Sequence, residues 1–142
     1  MIRAMRNPKR TYSGCPVLSD NDIARYLATG ELSGNPTYLE VPPGKVIRQR
    51  GFWLKPGARM HHTATLFLVS TDVYAMNEDD HAELRKQIYC YRSPKSNTAY
   101  LGSIEKVTAD QRALVPLMPG LHEPLLIEGS DLVYVGRVIA SI

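Results

Sequence analysis

Cysteine is nearly absent from this 142-residue sequence, with Cys15 and Cys90 its only two. That scarcity excludes a zinc site built on thiolates and a disulfide framework, leaving two small buried or half-buried thiols as the expectation. Histidine is scarce as well, with four: His61, His62, His81 and His122. Long hydrophobic runs are missing. The longest mostly apolar stretch, Ala64 to Val69, falls far short of the roughly 20 residues a helix needs to cross a bilayer, so no membrane partner is expected. The first residues, Met1-Ile2-Arg3-Ala4-Met5-Arg6, carry charge with no apolar core behind them; they do not read as a secretory signal, and intracellular synthesis is expected. No acid occurs between Val41 and Thr71.

What is present is ordinary globular material: 44% hydrophobic and 22% charged residues, enough for one domain with a single core. Charge is unevenly placed. Arg3, Arg6, Lys9 and Arg10 give the first ten residues four positive charges and no negative ones. Lys45, Arg48, Arg50, Lys55 and Arg59 form a second basic stripe, answered by an acidic cluster at Glu78, Asp79, Asp80 and Glu83. Opposed segments of this kind can pair copies of one chain as readily as they can bind nucleic acid.

Residues 1–16 show no period that would bury a face and read as an extended basic arm, with residues 17–142 forming one β-rich domain. One helix is signalled: Ser19 as cap, Asp22 three residues on, Ile23, Tyr26 and Leu27 at helical spacing, and Thr29-Gly30 as its end. Asn77 to Gln87 admits either a second helix or an acidic surface loop. Turn chemistry at Pro42-Pro43-Gly44, Lys55-Pro56-Gly57, Pro119-Gly120 and Glu128 to Asp131 separates β-favouring runs over 37–41, 45–54, 60–71, 87–92, 99–107, 113–118, 125–128 and 132–142. Amphipathic crossover helices are missing between them, so antiparallel sheets in a sandwich or jelly-roll-like arrangement are expected. Ile88 and Cys90 should share one strand face and Tyr89 and Tyr91 the other. The last run is apolar on both faces, which means a central strand or one whose second face meets another subunit. Gly102 and Gly136 stand alone and read as bulges or tight packing points.

Candidate chemistry is thin. Neighbours in a strand point to opposite faces, so His61 and His62 do not share a metal. The stretch Trp53 to Val69 resembles a cupin strand but lacks the spaced His-x-His and the glutamate that follow in that family. Leu18 to Leu32 is similar to the N-terminal helix and Gly-Glu-Leu exit of dCTP deaminases. The nearest counterpart of that family's phosphate-holding Arg-Ser-Ser is Arg92-Ser93-Pro94, where Pro94 removes an amide donor. No nucleophile elbow, Cys-His pair or phosphate-binding glycine loop occurs, so no catalytic residue, metal or cofactor is assigned. The basic stripe, with Phe52 and Trp53 interleaved, could bind single strands by stacking and charge, although the only Trp of a small domain is usually core.

By length, strand spacing and arm, the chain resembles the small jelly-roll cement or decoration proteins that tailed bacteriophages place on their capsids. That resemblance implies a non-enzymatic virion subunit, a homo-oligomer that clasps a protein assembly such as the major capsid protein. The arm (Arg3, Arg6, Lys9, Arg10, Tyr12), the basic stripe and the acidic loop would make the contacts. A nucleic-acid-binding β-barrel, and a trimeric nucleotide-binding protein of the dUTPase or dCTP-deaminase type, are the alternatives.

Overall fold

A computed structural model of the chain describes residues 14–32, 34–45, 47, 50–55, 66–71, 87–117 and 123–142. The arm residues Arg3 to Tyr12, the four histidines, the acidic cluster and, but for Gln87, the possible helix over 77–87 lie outside the described residues.

Among the described residues the fold is mostly β with one short helix. Strands β1 (Gly14–Leu18), β2 (Tyr38–Glu40), β3 (Gly51–Leu54), β4 (Phe67–Ser70), β5 (Tyr89–Ser93), β6 (Thr98–Lys106), β7 (Arg112–Pro116), β8 (Leu125–Leu126) and β9 (Val133–Ser141) form one nine-stranded sheet. Its order is β2-β1-β3-β4-β9-β5-β6-β7-β8. Every neighbouring pair is antiparallel except β1 and β3, which run parallel with Val17 opposite Trp53 and Leu18 opposite Leu54. The sheet is therefore mixed rather than purely antiparallel.

Residues 14–16, expected in the arm, belong to the sheet. Gly14, Cys15 and Pro16 pair with Glu40, Leu39 and Tyr38, and both Cys15 and Leu18 are buried. Proline in an interior strand is tolerated here because the β1–β3 ladder runs only from Val17, so the missing Pro16 amide breaks none of its bonds.

The doubly apolar C-terminal run is a central strand. β9 lies between β4 and β5, with irregular register between Val138 and Ala140 on one side and between Tyr134 and Gly136 on the other. Strand alternation divides the core as expected. Phe52, Leu54, Phe67, Val69, Cys90 and Leu101 pack on one face, under Ile23, Tyr26 and Leu27 of the helix. Trp53, Leu68 and Cys15 form one cluster outside that layer, and Tyr89, Tyr91, Ile104 and Leu114 form another, closed by Ile127. Cys15 and Cys90 thus belong to different clusters, and both are free thiols.

The helix is entered through a 3-10 turn, Asp20–Asp22, and α1 itself spans Ile23–Thr29. Ser19 does not accept an amide as a cap would; its hydroxyl donates to the Asp22 carboxylate at 3.3 Å. The predicted stop is there: Gly30 takes φ 78°, a left-handed value that glycine reaches without strain, and its amide bonds the Tyr26 carbonyl at 2.8 Å.

Candidate functional site

Of the basic stripe, Lys45, Arg50 and Lys55 lie among the described residues. Arg48 and Arg59 lie outside the described residues. Lys45 is exposed at the turn after Pro42, and Lys55 is exposed just past β3. Arg50 immediately precedes that strand, so Arg50 and Lys55 stand roughly 16 Å apart along it, at about 3.3 Å per residue. Phe52 and Trp53, the aromatic members of the stripe, are 0% and 1% exposed and cannot stack on a base.

Arg50 is committed to the helix. Its guanidinium Nη1 donates to the Tyr26 carbonyl in the last turn of α1, where a cation also meets the negative end of the helix dipole. The same group lies over the Tyr26 ring, 5.8 Å from its centroid. The Tyr26 hydroxyl in turn donates to the Gly51 carbonyl at 2.9 Å. Burial pushes the Tyr26 phenol up to about 12, so at neutral pH it stays a hydrogen-bond donor. Thr71 completes the lock: its amide and its hydroxyl both bond the Arg50 carbonyl. Beside these groups opens a depression of about 530 Å³ with Leu27, Arg50, Thr71 and Val135 among its walls. These four residues come from four separate segments, and no spacing in the sequence brings them together.

The counterpart of a phosphate cradle is occupied by a carboxylate. Ser93 donates to Asp131 Oδ2 at 2.6 Å, and the Lys95 amide reaches the same oxygen at 3.2 Å. The Ser93 hydroxyl and then the Lys95 amide hold the Asp131 carboxyl below its usual range. A phosphate approaching this turn would meet a fixed negative charge, and the turn's function is to tie the residues before β9 to the β5–β6 hairpin. On the same hairpin, the Ala99 amide donates to Asp20 at 3.1 Å and the Asn97 amide group to Asn21 at 3.1 Å, which docks the entry of α1.

A second carboxylate grips the crossover from β8 to β9. Glu128 accepts the Arg112 amide at 2.6 Å and the Arg112 Nε at 2.7 Å. Burial raises the Glu128 pKa, but the bonds from Arg112 outweigh it and hold the carboxyl below its ordinary value. A group depressed in the folded state stabilises above its unfolded pKa, and that contribution is lost as pH falls through the folded pKa. Stability is therefore expected to drop in acid below the usual carboxylate range. The Glu128→Gln variant should show a flatter acid limb in urea titrations while differing little in slope at neutral pH. Because the Glu128 side chain is 37% exposed, the effect should remain a fraction of a kcal/mol to about 1 kcal/mol.

Arginine dominates the remaining polar interior. The Nε atoms of Arg92 and Arg137 and the Nη1 of Arg112 are buried with no hydrogen-bond partner among the described residues. Burial raises the Tyr91 phenol to about 12 and pushes the Tyr134 phenol and the Cys90 thiol upward as well. Tyr91 and Cys90, buried and kept neutral in this way, are packing elements, while Tyr134 is half-buried against them. No cluster of three or more His, Cys, Asp or Glu side chains able to hold a metal ion occurs among the described residues. No described helix is long and apolar enough to cross a membrane. No protein-family model matches the chain, and no curated protein matches it in sequence.

Proposed function

We propose that this chain is a non-enzymatic assembly subunit that self-associates and holds onto a larger protein structure through its basic N-terminal segment, as a capsid decoration protein would. The observation that carries the reading is the anchorage of that segment. Residues 1–13 lead directly into β1, which is bonded on one side to β2 and on the other to β3. A contact made by Arg3, Arg6, Lys9 or Arg10 is thereby rooted inside the sheet instead of hanging from a loose end.

The rest of the described surface offers less. Its exposed large apolar side chains are Tyr38, Val107, Leu126, Val133 and Ile142. They fall on the two opposite sheet edges, a turn and the two ends of β9, and apolar residues scattered singly in this way are normal on a monomer. The nucleic-acid alternative loses its stacking platform, since Phe52 and Trp53 are buried.

The test is sedimentation velocity on the full chain and on residues 14–142. The full chain should sediment as an oligomer whose association weakens with salt, because on this reading four cations make the contact. The shortened chain should be monomeric with an unchanged melting midpoint. A monomeric full chain, or a shortened chain that associates equally well, would overturn the reading.

A further inference from the structure

The depression beneath the C-terminal end of α1 has the features of a small-molecule site. Its volume of about 530 Å³ lies within the range that ligand pockets span, roughly 300–1,000 Å³. Two apolar walls, Leu27 and Val135, belong to or pack against the main core, and Val135 is only 4% exposed. Thr71 uses its hydroxyl to fix the Arg50 carbonyl. Among the described lining residues, that leaves Arg50 as the cation. One of its five N–H groups bonds the Tyr26 carbonyl and its Cζ lies over the Tyr26 ring, so the guanidinium is already held in place before any ligand arrives. Fixing a recognition group in advance removes the ordering cost that binding would otherwise carry. A planar guanidinium with N–H groups remaining matches a carboxylate, and the apolar walls match a short hydrocarbon attached to it.

We propose that this depression binds a small apolar carboxylate, with the Arg50 guanidinium on the acid group and Leu27 and Val135 against the tail. The chemistry is shared by a free organic acid and by the C-terminal residue of a peptide. The site draws on α1, β9 and the residues flanking β3 and β4, and does not depend on whether residues 1–13 mediate assembly.

The experiment is a nitrogen–proton NMR titration of the full chain with N-acetyl-leucine, N-acetyl-leucinamide, acetate and an acetylated tripeptide ending in leucine. N-acetyl-leucine should move the Arg50 Nε–H and Thr71 amide signals saturably, with a dissociation constant on the order of 1 mM, typical for so small a ligand. The amide, which lacks the charge, and acetate, which lacks the tail, should each bind at least about tenfold more weakly, the step that 1.4 kcal/mol represents. Tighter binding of the tripeptide identifies a peptide end as the ligand; equal or weaker binding identifies a free acid. Arg50→Gln should abolish the response. Because that change also loosens α1, Leu27→Phe serves as a second variant: it leaves Arg50 in place, fills the depression and should weaken binding several-fold with the rest of the spectrum unchanged. No saturable shift at Arg50 and Thr71, an equal response to acid and amide, or full binding by Leu27→Phe would overturn the proposal.

Discussion

Gly102→Ala is expected to destabilise the protein by about 3 kcal/mol or more, above the usual range for one added methyl group. Gly102 sits in β6 between Tyr89 of β5 and Pro116 of β7. A Cβ built there falls 2.0 Å from the Val115 carbonyl oxygen, 2.9 Å from its carbon and 3.2 Å from Leu114 Cγ. The first two obstacles are main chain, so relief requires two paired strands to separate, and Leu114 is fully buried at 0% exposure. Gly34→Ala is the control. Gly34 has φ 67° and nothing within 4 Å of the added carbon, so its change brings conformational strain alone and should cost about 1 kcal/mol. Urea denaturation of both variants separates crowding from strain. Equal midpoints would mean that β6 and β7 yield easily at this point.

Trp53→Ala should be as damaging or more so, at about 3–5 kcal/mol, against total stabilities of about 5–15 kcal/mol for ordinary domains. The indole is 1% exposed, packs with Cys15 and Leu68, and donates from Nε1 to the Leu39 carbonyl at 3.2 Å. It reaches across β1 and so fastens the edge strand β2 to the body. Removal leaves a cavity and deletes the side-chain tie to β2 together. Trp53→Phe keeps most of the volume and loses the hydrogen bond, so it should cost clearly less, about 1–3 kcal/mol. The two midpoints, read by urea titration with the far-ultraviolet circular dichroism signal, should stand in that order. A Phe variant as unstable as the Ala variant would place the indole's importance in the hydrogen bond instead of in packing.

Much of the fold is legible in the sequence, for reasons that can be named. Alternation correctly places Ile88 and Cys90 on one face and Tyr89 and Tyr91 on the other, because a strand's side chains obey a period of two whatever its neighbours are. The end of α1 at Gly30 follows from local backbone preference. Gly102 and Gly136 read as close-packing points, and in each a Cβ would strike a neighbouring strand's carbonyl. Strand β1 was hidden because Pro16 and Gly14 are turn-like residues locally; what makes them strand is β2 and β3 on either side, a tertiary fact. Strand order is equally non-local. Periodicity marks β9 as doubly buried but cannot insert it between β4 and β5. The special place of Arg50 was hidden because it looks like its neighbours in composition and differs from Lys45 and Lys55 in having Tyr26 within reach. The depression beside it was illegible for the same reason: Leu27, Arg50, Thr71 and Val135 meet only after the sheet has closed.

The central place of β9 has a consequence for how the molecule comes into being. A ribosome makes β1 to β4 and then β5 to β8 before the residues of β9 exist, and these two groups are the two halves of the sheet on either side of it. Until residues 133–141 emerge, the nascent chain carries two half-sheets whose inner edges, β4 and β5, are open and lined by Leu68, Val69, Cys90 and Tyr91. Open edges with apolar side chains are where chains pair wrongly with each other. Completion of the sheet thus waits on the arrival of one strand, and the interval before it is when a nascent chain offers its inner edges to mispairing.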